Sequence, residues 1–344
     1  MTNRPFYQNK TVMVTGGAGF IGSHLCEELL DSGAKVIAVD NFLTGSQENI
    51  QHLQKQFPDR FSLIVADVSM PVSEYLPAEV QLDAVFHFAS PASPPYYQAH
   101  PVETYLVNSL GTHQLLQHLL AYSPRTRFLF ASTSEVYGDP QEHPQKESYW
   151  GNVNPNGPRS CYDEAKRLGE AICGVHARDF KMDVRIVRIF NTYGPRMDLD
   201  DGRVIPDFIK QSLHRQPFTI HGDGSQTRSY CYVSDLVNGV LTFAEKDELS
   251  GETFNLGNPD EYTIMETAQS VVKATTSILN REENKVDASP QMQFKELPQD
   301  DPLRRKPDIS KAMQLLNWQP QVSFEEGLKK TIVFFHNQQK SSLT

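Results

Sequence analysis

The chain has 344 residues, 39% of them hydrophobic and 22% charged, which is enough apolar material for a folded core and a length suited to about two domains. Its formal net charge of −10 argues against a nucleic-acid footprint or an anionic membrane surface as partner. No apolar run approaches the roughly 18 residues of a membrane span, residues 1–10 carry no apolar signal region, and Cys26, Cys161, Cys173 and Cys231 show neither metal-ligand spacing nor a disulfide framework, so a reduced, cytoplasmic setting without a bound metal is expected.

Apolar runs of strand length recur along the first two-thirds. They are Thr11-Val12-Met13-Val14, Lys35-Val36-Ile37-Ala38-Val39, Phe61-Ser62-Leu63-Ile64-Val65, Ala84-Val85-Phe86-His87-Phe88, Arg127-Phe128-Leu129-Phe130 and Val184-Arg185-Ile186-Val187-Arg188-Ile189. Helical patterns lie between them, as where Leu106, Val107, Leu110, Leu115, Leu116, Leu119 and Leu120 recur at helical spacing. This alternation predicts an α/β fold, a Rossmann-type doubly wound parallel sheet covered by helices on both faces. Beyond about Asn191 Gly and Pro become frequent, as in Gly194-Pro195, Gly222-Asp223-Gly224 and Asn258-Pro259. The polar, Pro-containing stretch from about 280 to 306 is expected to form a loop-rich lid, and 324–335 a closing helix. The expected organisation is a dinucleotide domain over 1–190, joined by a segment returning near 230–260, and a smaller C-terminal α/β substrate domain over 191–344.

The first strand runs into Gly16-Gly17-Ala18-Gly19-Phe20-Ile21-Gly22 and then into a helical pattern that ends at Gly33. Strand, glycine turn and helix in this order suit phosphate binding: glycine lets the backbone approach a pyrophosphate, which rests on the positive end of the helix. Asp40, followed by Asn41, ends the second strand 18 residues after Gly22, where a carboxylate takes the ribose hydroxyls of an adenosine. A carboxylate there repels a 2′-phosphate, and no arginine lies between residues 34 and 46, so NAD is expected over NADP. Asp67 after the third strand is a candidate for adenine contact, and Ala89 after the fourth for lining the cofactor.

Tyr162-Asp163-Glu164-Ala165-Lys166 places a tyrosine and a lysine four apart, on one helix face. Ser160 is a candidate cap for that helix, with Asp163 in the capping-box region. A tyrosine is a poor base at its ordinary pKa of about 10. Lowering it by about 3 units takes roughly 4 kcal/mol, which the lysine ammonium and a nicotinamide charge together are expected to supply. Ser132-Thr133-Ser134-Glu135-Val136-Tyr137-Gly138 follows the fifth strand, and strand ends of an open parallel sheet line its ligand crevice. A hydroxyl at Thr133 is placed to orient a substrate alcohol while Tyr162 takes its proton.

With these residues the chain resembles the extended short-chain dehydrogenase family over nearly its whole length, through Gly16, Gly19 and Gly22 and the trio Thr133, Tyr162 and Lys166. Within it, the chain is similar to the UDP-glucuronate decarboxylase family. The stretches that carry this are Ser90-Pro91-Ala92-Ser93-Pro94-Pro95, the segment 132–140, Cys161 to Arg167, Arg188 to Met197, Asp201-Gly202-Arg203-Val204, Gly224-Ser225-Gln226-Thr227-Arg228 and Asp301 to Asp308. The glycine and Tyr/Lys motifs identify only the wider family; the other segments are narrower. Ser229-Tyr230-Cys231-Tyr232 departs from the acidic-aromatic pattern of many relatives.

The resemblance implies a UDP-sugar substrate oxidised at its 4-hydroxyl. Sugar 4,6-dehydratases carry an Asp-Glu pair after the threonine; here the pair is Ser134-Glu135, so the acid for a leaving 6-hydroxyl is missing. Oxidising C4 of a uronic acid gives a β-keto acid, which loses carbon dioxide into the ketone, and Glu135 is expected to relay a proton to C5 before C4 is reduced again. The resemblance also implies that Arg203 and Arg228 hold the diphosphate, that Arg305 lies near the sugar and its carboxylate, and that Asn191 contacts the substrate near the phosphates. Arginine suits these groups because its planar fork binds them bidentately. Arg304 is expected to be solvated, and His24, His87 and His221 to be packing or loop residues. The alternatives are a UDP-sugar 4-epimerase, or another NAD-dependent nucleotide-sugar enzyme, which share the first oxidation, and a non-catalytic NAD-sensing protein on the same fold. A homodimer is implied, built from the helices of 106–120 and 162–173.

Overall fold

A computed structural model describes residues 4–282, 291–297 and 304–342. Along the chain, β1 (Thr11–Thr15), α1 (Phe20–Asp31), β2 (Lys35–Asp40), α2 (Gln51–Gln56), β3 (Phe61–Val65) and β4 (Ala84–His87) come first. Next are α3 (Pro94–Ala99), α4 (Pro101–Leu106), α5 (Thr112–Tyr122), β5 (Arg127–Thr133), α6 (Ser160–Arg178) and β6 (Val184–Ile189). The remainder is β7 (Thr192–Tyr193), α7 (Val204–Leu213), β8 (Phe218–His221), β9 (Thr227–Ser229), β10 (Cys231–Tyr232), α8 (Val233–Glu245), β11 (Thr253–Leu256), β12 (Glu261–Thr263), α9 (Ile264–Glu282), β13 (Met292–Lys295), β14 (Arg304–Arg305) and α10 (Phe324–Ser342).

Seven parallel strands form the main sheet in the order β11-β6-β5-β4-β1-β2-β3. Their side chains alternate between two cores. Val12, Val14, Val36, Ala38, Phe86 and Leu129 belong to one; Met13, Val39, Val85, Phe128 and Phe130 belong to the other. This is why the strands read as continuous apolar runs: a parallel sheet covered on both faces has no wet side. The chain leaves β1 toward β2 and β3, then returns to place β4 on the opposite side of β1. The order reverses between β1 and β4, and the crevice beyond their carboxyl ends is where open α/β sheets bind ligands.

The 101–122 segment is helical throughout but carries a π turn at Val107–Gly111 between α4 and α5. Such turns re-aim side chains; here Asn108 is buried and its amide donates to the Ser90 hydroxyl (2.8 Å). Beyond Ile189 the strands are short: β7 pairs with β10, β8 with β13, and β9 with β12 and β14. The polar stretch expected as a lid is therefore partly strand. Met292–Lys295 adds to Phe218–His221, and Arg304–Arg305 adds to Thr227–Arg228; pairing across more than 70 residues leaves no periodicity in so short a run. The remainder of the lid expectation, and Asp301-Pro302-Leu303 of the motif there, lie outside the described residues. No helix among the described residues is long and apolar enough to cross a membrane.

Candidate active site

Two adjoining cavities occupy the crevice. The first, about 550 Å³, is lined by every loop and strand-end residue named above for cofactor binding: Gly16, Gly19, Phe20, Ile21, Gly22, Asp40, Asn41, Asp67 and Ala89. The turn leaves no room for side chains. Gly16 sits at φ +71°, and a Cβ there would lie 2.8 Å from the Ala89 nitrogen; one on Gly22 would lie 2.0 Å from the Gly16 carbonyl oxygen. The bare backbone and the start of α1 thus make a cradle that fits a pyrophosphate.

Asp40 does more than the sequence indicated. Its carboxylate accepts the Ala18 N–H (2.9 Å) and the Phe42 N–H (2.8 Å), tying the glycine turn to the end of β2. Burial pushes its pKa up, against those donors, which pull it down. Asn41 accepts from the Leu43 N–H (3.0 Å). Asp67 accepts from both the N–H and the hydroxyl of Ser69 (2.8 and 2.7 Å). The Ala89 N–H donates to the Thr15 hydroxyl (3.3 Å).

The second cavity, about 440 Å³, brings together Thr133, Ser134, Glu135, Tyr162, Lys166, Asn191, Arg203, Arg228 and Arg305, which are spread over more than 170 residues of sequence. It shares Ile21, Phe88, Ser90 and Arg203 with the first. Thr133 ends β5; its hydroxyl accepts from the Glu135 N–H (3.2 Å) and hydrogen-bonds the Tyr162 phenol. Tyr162 is buried and stacked on Tyr97, with ring centroids 5.0 Å apart and planes 5° from parallel. Lys166 is buried below it. Its ammonium donates to the Ala131 carbonyl (2.6 Å) and lies 5.0 Å from the Phe130 ring and 5.7 Å from the Tyr162 ring.

Two expectations are corrected here. Ser160 does not cap α6: it is the first helical residue, Arg159 occupies the cap position, and no side chain caps there, because the preceding turn already bonds Ser160 N–H to the Gly157 carbonyl. Nor does the chain alone supply the lowering of the tyrosine pKa expected of the lysine together with a nicotinamide charge. Burial raises the Tyr162 pKa well above the ordinary range despite the Thr133 hydrogen bond. Burial also lowers Lys166 to about 7, with Cys173 and Glu170 opposing. The resident chain by itself therefore favours the protonated phenol.

Arg305 and Arg228 face each other across the β9–β14 pair. Arg305 is 2% exposed. It ion-pairs with Glu135, reaches the Ser134 hydroxyl (3.5 Å) and donates to the Gly138 carbonyl (3.0 Å), while its Nε–H is buried with no acceptor among the described residues. Arg203 is held by Asp201 (2.7 Å), and the Arg228 guanidinium donates to the Thr227 carbonyl (2.9 Å). Asn191 lies in the link from β6 to β7, its carbonyl accepting the Cys231 N–H (2.9 Å). Arg304 is exposed. His24 contacts the Pro195 carbonyl (3.0 Å), and His87 is buried between Thr15 and Thr112.

Glu135 departs from the expected proton relay. Its carboxylate pairs with Arg305 on one oxygen and with Arg159 on the other. Burial opposes its ionisation, yet the two guanidiniums win and hold its pKa at about 2. Arg159 and Tyr97 were missed by the sequence reading. Both sit within a few residues of motifs it singled out, Arg159 three before Tyr162 and Tyr97 two after Pro95, but neither spacing marks them as facing the cavity.

Residues 13–331 match the family model described as GDP-mannose 4,6 dehydratase. UDP-glucuronic acid decarboxylase 1 of Arabidopsis thaliana is 49% identical over 95% of this chain and 70% of its own length. UDP-glucuronic acid decarboxylase 1 of Danio rerio is 46% identical over 95% of this chain and 72% of its own. The chain belongs to the UDP-glucuronic acid decarboxylase family. Among solved structures, a UDP-glucuronic acid 4-epimerase from Bacillus cereus in complex with UDP-glucuronic acid and NAD superposes with a TM-score of 0.78 at 30% identity, covering 95% of this chain and 99% of that one. An epimerase from Methanothermobacter thermautotrophicus superposes at 0.85 with 29% identity over 98% of this chain and 96% of its own. The sheet order and the two cavities of this family member thus sit on the architecture of nucleotide-sugar epimerases as well.

Proposed function

We infer that the protein converts UDP-glucuronate to UDP-xylose with NAD as a resident cofactor, through a 4-keto sugar. The observation that carries this reading is the buried Arg305, which lines the second cavity beside Ser134 and Glu135 at the end of the strand that bears Thr133. A guanidinium on a cavity wall suits an anionic group, and a uronate carboxylate is the one this reaction brings. The family relatives, 44–49% identical over most of the chain, bear the same activity in their names.

In this reading Gly16, Gly19, Phe20, Ile21 and Gly22 hold the pyrophosphate of NAD, Asp40 and Asn41 the adenosine ribose, and Asp67 and Ala89 line the rest of the cleft. NAD, when bound, supplies the acceptor and later the donor for the C4 hydride, and a positive ring that favours the phenolate. Tyr162 takes the 4-hydroxyl proton while Thr133 orients that hydroxyl, and Lys166 holds the ribose and the charge balance beneath Tyr162. Arg203, Arg228 and Asn191 bind the diphosphate end. The C4 ketone makes the uronate a β-keto acid; its carbon–carboxyl bond breaks with loss of carbon dioxide, the electron pair enters the ketone as an enolate, C5 takes a proton from solvent water, and Tyr162 returns its proton to the C4 oxygen when C4 is reduced again. Arg305, with Ser134, orients the carboxylate, and Glu135 serves as the anion that holds Arg305. The residues assigned to the cofactor lie over 1–190, the domain whose sheet is completed by a segment returning near 230–260, and Asn191, Arg203, Arg228 and Arg305 lie over 191–344. We place the protein in the cytoplasm as a homodimer, since Val102, Tyr105, Leu110, Leu168 and Val175 expose apolar surface on α4, the π turn and the neighbouring α6.

Incubation with UDP-glucuronate, followed by mass analysis of the nucleotide sugar and by carbon dioxide release, tests the reading. UDP-xylose and carbon dioxide in equal amounts without accumulating NADH are expected. Conversion of UDP-glucose to UDP-galactose with no action on the uronate would give the protein to the epimerases instead.

A further inference from the structure

Arg159 sits at the start of α6, three residues before Tyr162, with its side chain 11% exposed. It stands between two carboxylates. One is Glu135, ion-paired to its guanidinium; the other is Asp163, whose Oδ2 lies 3.8 Å from the Arg159 Nε. Asp163 is 7% exposed, and its Oδ1 is buried without a hydrogen-bond partner. A buried carboxylate oxygen with nothing to accept from is what a neutral carboxyl tolerates and an ionised one does not. Burial, reinforced by the charge of Glu135, accordingly pushes the Asp163 pKa well up from the usual carboxylate range. Near neutrality the charge of Arg159 is thus committed to Glu135.

Glu135 in turn meets Arg305 on its other oxygen, and Arg305 lines the second cavity. Resting on the decarboxylase reading, we propose that Arg159 is a positioning residue: it keeps Glu135 ionised and fixed, so that Glu135 holds the Arg305 guanidinium at the cavity wall for the uronate carboxylate. The logic is one of charge. A lone Glu135–Arg305 pair would be pulled apart when a second carboxylate arrives, because both anions compete for one guanidinium. With Arg159 in place, Glu135 retains a cation of its own and Arg305 is shared without stranding a buried charge. Other groups bear on Glu135 from the elements around it. Arg228 on β9 lowers its pKa, Arg203 at the start of α7 feels its charge, and Tyr97 on α3 and Tyr162 on α6 are both raised by it.

The test pairs Arg159→Gln with Arg159→Lys. The Glu135 side-chain carboxyl is followed by carbon-13 NMR of glutamate-labelled protein, its signal assigned by loss in Glu135→Gln. Removing one of two cations raises the pKa, so in Arg159→Gln the titration should move up by at least tenfold in proton affinity, and in Arg159→Lys by less. With UDP-glucuronate, kcat should fall about 100-fold in Arg159→Gln, KM should change less than threefold, and the acid limb of the kcat profile should move to higher pH. Arg159→Lys should recover most of kcat. An unmoved Glu135 titration with an unmoved acid limb, in a variant that still binds NAD, would overturn the proposal. A uniform loss of kcat that lysine does not rescue would assign Arg159 a structural role only and overturn it too. If the unmodified protein releases no carbon dioxide, the decarboxylase reading fails separately, while the NMR titration still reports whether Arg159 governs Glu135.

Discussion

Tyr162 and Lys166 show how far a pair of residues depends on its surroundings. The tyrosine phenol is shifted against ionisation by burial and the lysine is lowered to about 7 by the same cause, so the chain by itself favours the neutral form of both. Tyr162→Phe should reduce turnover of UDP-glucuronate by about 10²–10⁴-fold, the span associated with a lost general base, while the stack on Tyr97 and NAD binding persist. Retention of most of the activity would remove Tyr162 from the role. Asp40 has two tasks, since the same carboxylate that faces the cofactor cleft bonds the Ala18 and Phe42 amides. Asp40→Ala should weaken NAD binding roughly tenfold or more and narrow the preference over NADP. Leaving two buried amides without their acceptor should also lower stability by about 1–3 kcal/mol. Calorimetric titration with both dinucleotides and a melting curve read the two effects apart, and unchanged values in both would show that Asp40 is neither contact nor tie.

At the scale of elements, α6 is the piece that unites packing and chemistry. It carries Tyr162 and Lys166 on one face and crosses the sheet closely at Gly169, where a Cβ would lie 2.4 Å from the Phe130 ring and 2.9 Å from the Asn108 carbonyl oxygen. Gly169→Ala gains about 1 kcal/mol of helix propensity but meets an overpacking cost of about 1–3 kcal/mol, because one of the two contacts is backbone in the π turn and cannot swing away. The balance should be a lower melting temperature. Activity should fall further than stability, since the Phe130 ring lies beneath the Lys166 ammonium. A variant as stable and active as the parent would mean that α6 has slack at this crossing. The opposite face of α6 exposes Leu168 and Val175, seven residues apart and beside the exposed Val102, Tyr105 and Leu110.

That face bears on the whole molecule. A contiguous apolar surface on a helix pair is a surface that a self-complementary contact covers in a two-fold dimer. Sedimentation equilibrium should give about twice the chain mass of 38.9 kDa, and Leu168→Glu should shift the protein toward monomer. A concentration-independent monomer in the unmodified protein would exclude the dimer. Among the described residues, the glycine loop, Tyr162 and Lys166 of α6 and the arginines of β9 and β14 that line the two cavities come from one polypeptide.

Much of this was legible in the amino-acid sequence. Parallel strands buried on both faces must be apolar without interruption, and glycines in the turn after β1 mark a backbone that approaches another chain segment or a phosphate too closely for any Cβ. Those two constraints are local, so the doubly wound sheet, the cofactor cleft and the Tyr162–Lys166 face could be read residue by residue. The short strands β8, β9, β13 and β14 could not, because two to four residues have no period of their own and form only when a distant partner arrives. The same holds for charge. Ser160 has the chemistry of a cap but the turn before it needed none, and Glu135 has that of a proton carrier until Arg159 and Arg305 close on both its oxygens. Which carboxylate stays ionised in a buried site depends on which cations the fold sets beside it, and that spacing exists only in three dimensions.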